Sequence, residues 1–66
     1  MKKYLIYNYI GNGFWTGTLN GFSEGAIYNY KIKVFDTKLE AEEEVTNVIL
    51  PSYQGVFEVL EVFRNI

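Results

Sequence analysis

The chain has neither cysteine nor histidine. Without cysteine there is no disulfide and no thiolate metal ligand. Without histidine there is no imidazole ligand, and the side chain most often used as a general base is missing. Ser23 and Ser52 therefore lack the partner that would make either a nucleophile. Proline occurs once, at Pro51. No apolar run approaches the roughly 20 residues needed to span a bilayer. Cations are sparse: six Lys/Arg against eight Asp/Glu leave a net charge of -2. Phosphate-backbone binding draws on several clustered cations, so nucleic acid is disfavoured as a partner. The Met-Lys-Lys opening is similar to a signal n-region. The run after it alternates and contains Asn8, and no small-residue cleavage site follows. The expectation is a soluble, cytoplasmic, non-enzymatic chain with no cofactor and no bound metal.

At 66 residues the chain reads as a single domain, 1–66, near the lower limit for folding alone. A core of this size rarely supplies more than roughly 3–5 kcal/mol. With disulfide and metal staples excluded, self-association is the remaining common one. A homo-oligomer, a dimer first, is expected. What the chain has in quantity is aromatic side chains, twelve in all. None lies in the one segment that reads as a helix, so the surplus belongs to strands and their loops.

Residues 3–10 are β-branched and aromatic, with apolar groups on both faces, which suits a central strand. Gly11-Asn12-Gly13 offers a hairpin turn, and residues 14–19 read as the returning strand, with Gly17 marking a bulge or close approach. Asn20-Gly21 repeats the turn signal, followed by a short loop holding Phe22, Ser23 and Glu24. Residues 27–35 alternate cleanly, Tyr28, Tyr30, Ile32 and Val34 against a wet face of Asn29, Lys31 and Lys33. Thr37 to Glu40 is a capping box. The helix it opens carries an apolar stripe of Ala41, Val45, Val48 and Ile49, and Pro51 stops it. Residues 56–63 form a last strand with an acid on each face, so alternation does not select the buried one. The order β-β-β-α-β predicts an α+β fold: an antiparallel sheet of three to four strands with one helix packed on one face.

Gly11, Gly13 and Gly17 fail as a phosphate loop, because Thr16 stands where a dinucleotide fingerprint needs glycine and a strand follows instead of a helix. Glu58 and Glu61, three apart on a strand, point to opposite faces and cannot pair. Glu40, Glu42, Glu43 and Glu44 read as a solvated helix face, with Glu40 and Glu44 a repulsive pair on one side. One helix covers only one face of a sheet. Tyr7, Tyr9 and Trp15, on neighbouring hairpin strands, are therefore expected to form one uncovered aromatic patch, of the composition found at interfaces. The partner-binding candidates are Tyr7, Tyr9 and Trp15 on the sheet and Glu43 and Glu44 on the helix.

The pattern of a Lys-Tyr-Leu-Ile-like first strand, a Trp-containing hairpin, the helix start Phe35-Asp36-Thr37-Lys38-Leu39-Glu40-Ala41-Glu42 and an acidic-apolar last strand resembles small phage and prophage proteins. The resemblance implies a chain that binds and blocks a host or defence protein in the host cytoplasm. A second reading is an aromatic sheet face that stacks a nucleotide or single-stranded nucleic acid, with Lys31 and Lys33 supplying charge.

Overall fold

The computed structural model describes residues 2–11, 13–17, 21–24 and 32–63. Four strands, β1 (Lys2–Asn8), β2 (Gly13–Gly17), β3 (Gly21–Glu24) and β4 (Phe57–Phe63), form one antiparallel sheet in the order β3-β2-β1-β4. One helix, α1 (Lys38–Glu44), continues into a π-helical segment, Val45–Ile49, and packs on one face. The fold is α+β with the expected β-β-β-α-β order.

β1 is central, as its two apolar faces require. Leu5 and Ile6 are consecutive, point to opposite faces, and are both fully buried. Ile6 joins Trp15, Phe35, Ala41 and Ile49 beneath the helix. Leu5 joins Phe14 and Ile32 on the far face, with Tyr7, Val34, Leu60 and Val62 packed around them. The sheet therefore has a small core on each side.

A strand forms ahead of the segment in which alternation places the third one. It is the segment read as a loop, Gly21–Glu24, which pairs with β2 through Trp15↔Phe22 and Phe14↔Ser23. The pairing slips between Trp15 and Gly17. Two β2 residues there oppose one β3 residue, the bulge expected at Gly17. Gly17 has φ +115 with open space around it, and the extra residue, Thr16, donates its hydroxyl to the Gly21 carbonyl at 2.6 Å.

The expected strand at 27–35 lies largely outside the described residues; of its tyrosines, neither Tyr28 nor Tyr30 is among them. Its end, residues 32–35, acts as a wedge. β1 and β2 pair only at Tyr7↔Phe14 and Asn8↔Gly13. Beyond that point Phe35 exchanges both backbone bonds with Tyr4, and Lys33 donates its N–H to the Trp15 carbonyl, each at 2.9 Å. The two strands splay, and the wedge takes the backbone groups they leave open. Alternation then sends Ile32 and Val34 to the far face, and Lys33 and Phe35 toward the helix.

Thr37 caps α1. Its hydroxyl oxygen accepts from the Glu40 N–H at 3.2 Å. Glu40 accepts from the Thr37 hydroxyl at 2.9 Å, so it closes the box on the side chain, where a reciprocal box would use the Thr37 backbone. A regular helix through residue 49 was expected, but the second half widens. Leu50 donates to the Val45 carbonyl five residues back, at 2.9 Å. The run Val45-Thr46-Asn47-Val48-Ile49 is rich in β-branched residues that crowd a tight turn, and Thr46 also bonds back to the Glu42 carbonyl at 3.1 Å. The gain is positional. In a regular α-helix Ile49 would sit about 80° around from Ala41. Widening to about 4.4 residues per turn brings the two nearly in line, and both are fully buried. Ser52 and Tyr53 then close the end on the Ile49 carbonyl beside Pro51.

At the tip of the sheet Asn8, 8% exposed, folds back on its own turn. Its Oδ1 accepts from the Ile10 N–H at 3.0 Å and lies 3.4 Å from the Gly11 nitrogen. Gly55 packs flat on the same amide, where an added Cβ would stand 2.7 Å from Oδ1. Gly55→Ala is expected to destabilise the fold by about 1–3 kcal/mol through overpacking, read by thermal or urea denaturation. Combined with Asn8→Ala the loss should be well short of additive.

Candidate binding surfaces

Register decides which rings share a face. Tyr7 opposes Phe14, so Phe14 shares the far face with it, their centroids 5.0 Å apart. Trp15, the next residue, points the other way. The expected patch of Tyr7, Tyr9 and Trp15 is thus divided: Trp15 is fully buried beneath the helix. There it touches Phe22 and Tyr53 at centroid separations of 5.0 and 5.5 Å, and Phe22 stacks on Phe57 at 5.5 Å. Alternation alone could not decide this, because the β1–β2 register depends on the turn at Asn8.

Tyr7 and Tyr9 do stay together. Their rings meet edge to face at 4.9 Å. Tyr9 is 50% exposed, and beside it stand Ile10 at 70% and Val56 at 57%. Val56 lies across from Tyr9, whose N–H donates to the Val56 carbonyl at 2.9 Å. This end of the sheet thus exposes two aliphatic side chains beside Tyr9, those of Ile10 and Val56. Both stand in or beside turns, where an apolar side chain has no core to enter. The Tyr9 hydroxyl donates to Glu58, which faces Tyr7 across the β1–β4 pair. That hydrogen bond, together with partial burial and the carboxylate's charge, raises the Tyr9 phenol above its ordinary value.

The helix candidates also separate. Glu43 is exposed. Glu44 turns inward: its Oε2 accepts from the Trp15 indole N–H at 3.0 Å and from Lys33 at 2.7 Å, and its side chain is 14% exposed. Glu40 is engaged with Thr37, so the expected repulsive pair is divided between two different partners. Lys33 is exposed, as expected, but on the helix side of the sheet. Its ammonium lies 5.3 Å from the centre of the Phe35 ring and bridges the wedge to the helix. An open cleft of about 400 Å³ runs beside it, lined by Phe35, Glu40, Glu43 and Asn47 among others. Burial alone would raise the Glu44 carboxyl. The hydrogen bonds from Lys33 and Trp15 and the Lys33 charge outweigh it, and the carboxyl is held below the ordinary glutamate range.

On β4, Phe57 and Val59 face the helix and Leu60 and Val62 the far side, each half-buried. Glu58 and Glu61 lie on opposite faces as expected; Glu61 pairs with Lys2 at 3.2 Å.

Two outcomes test these assignments. A carboxyl lowered on folding stabilises the fold at neutral pH, and that stabilisation is lost as pH falls below about 4.3 toward the lower folded value. Glu44→Gln should flatten the acid limb of the stability profile, while Glu44→Leu, which strands the buried indole N–H, should cost about 1–3 kcal/mol at pH 7. In ultraviolet titration, Glu58→Gln should lower the pH at which Tyr9 ionises.

No helix among the described residues is long and apolar enough to cross a membrane. Comparison with protein-family models, with curated proteins and with solved structures found no match.

Proposed function

We propose that this chain is a small non-catalytic protein-binding module, acting in the cytoplasm, that occludes the surface it lands on. The observation that carries the reading is the exposed end of the sheet formed by Tyr9, Ile10 and Val56, with Tyr7 behind it. It combines a rigid amphipathic ring, aliphatic neighbours and an acid at the rim, the make-up of an interface centre and its polar border. The role fits an inhibitor encoded by a phage and directed at a host or defence protein. Stacking of a nucleotide is the poorer fit, because Glu58 stands against the Tyr9 hydroxyl and repels phosphate there.

Immobilised wild-type chain is expected to capture a protein partner from host lysate. The double variant Tyr9→Ala/Ile10→Ser should retain it at least about tenfold less well, as expected for loss of interface anchors, with its circular dichroism spectrum retained. Equal capture by both would remove this surface from consideration.

A further inference from the structure

β4 is the outermost strand of the sheet, and among the described residues no strand pairs with its outer edge. Which of its backbone groups face outward follows from the ladder. Tyr4 sends both its N–H and its C=O to Phe35, so it sends neither to its β4 neighbour Glu61. Antiparallel pairs alternate between bonded and non-bonded. The bonded pairs of β1 and β4 are thus Lys3–Val62, Leu5–Leu60 and Tyr7–Glu58. The N–H and C=O groups of Phe57, Val59, Glu61 and Phe63 are left pointing away from the sheet. β4 is also apolar on both faces yet buried on neither, and Phe63 is 77% exposed. A seven-residue edge in unbroken register with its inner neighbour is a template for another strand.

We propose that this edge pairs antiparallel with β4 of a second copy of the chain, about a two-fold axis at Leu60, joining two four-stranded sheets into one. The strand's own sequence selects both partner and register. With the axis at Leu60 all seven residues are matched. Phe57 meets Phe63 of the second copy and Val59 meets Glu61, all four being outward-facing residues that exchange backbone bonds. Leu60 meets itself, and Glu58 meets Val62. No two carboxylates stand directly opposite, an arrangement that would destabilise the pair. Moving the axis to Glu58 or Glu61 would place like charges face to face. Moving it to Val59 would set Phe63 against Gly55 and leave the ring uncovered. The edge adjoins the Tyr9 surface at Val56 and Glu58 but does not depend on the function proposed for that surface.

The absence of native cysteine permits a direct test. In the proposed register Leu60 forms a non-bonded pair with itself, with Cβ atoms about 4.5–5.5 Å apart, close enough for a disulfide with slight adjustment. Single variants Leu60→Cys, Val59→Cys and Leu50→Cys are oxidised at micromolar concentration, and wild-type mass is followed by light scattering through a dilution series. Expected are a two-chain mass that falls on dilution and cross-linking of Leu60→Cys at least tenfold faster than of Leu50→Cys, an exposed site at the far end of the helix. Glu61→Pro, which removes an outward N–H and the exposed Lys2 ion pair but no ladder bond to β1, should give a one-chain mass with its circular dichroism spectrum retained. A one-chain mass for wild type at every concentration overturns the proposal. So does cross-linking of Leu60→Cys no faster than Leu50→Cys, or preferential cross-linking through Val59→Cys.

Discussion

A buried indole must place its N–H somewhere, and the answer organises this molecule. Trp15 has no exposed surface. A ring of its size buries about 150–250 Å², worth on the order of 4–6 kcal/mol at about 25 cal/mol per Å². That gain is large for a 66-residue chain. An unsatisfied N–H would return about 1–3 kcal/mol of it. Glu44 accepts the bond, and a carboxylate in that position needs a cation of its own, which Lys33 supplies. One side chain from the hairpin, one from the helix and one from the wedge thereby meet at a single oxygen. The helix is held in place by this polar contact as well as by its aliphatic stripe.

The wedge carries the second half of the logic. Residues 32–35 enter where β1 and β2 separate, and strict alternation there distributes one short segment over both sides of the sheet. Phe35 and Lys33 serve the helix side, while Ile32 and Val34 serve the other. This is how a sheet with one helix keeps Leu5 buried on the face the helix does not cover. Surplus aromatic area is therefore spent unevenly. Phe14, Trp15 and Phe35 are absorbed into the two cores, and among the described residues the exposed rings are Tyr9 and, on the outer strand, Phe63.

Local features were readable where a local rule applies. Thr37 and Glu40 announce the helix start because a hydroxyl three residues ahead of a backbone N–H is a matter of short-range geometry. Pro51 ends the helix for a similar reason. Gly17 marks the bulge. Gly21–Glu24 reads as a loop in sequence because Gly21 and Ser23 have weak strand propensity. Pairing with β2 and the packing of Phe22 on Trp15 override it. The π-helical stretch was hidden because a stripe spaced for an α-helix differs little from one spaced for a wider turn over so few residues.

The sequence by itself determined the α+β class, the central position of β1, the capped helix and its stop, and the lack of thiol and imidazole chemistry, since each follows from residue type or near-neighbour spacing. It could say that β1, β2 and β4 have two faces, because side chains alternate with period two. It could not say which faces coincide, because register is set by contacts between residues far apart in the chain. Only the tertiary structure decided that Tyr7 and Trp15 point opposite ways, that Glu44 belongs to the interior and Glu43 to the surface, and that Phe57 and Val59 lie beneath the helix. The Tyr7–Phe14 register and the Tyr4–Phe35 bonds make those decisions, and both depend on strands meeting in space.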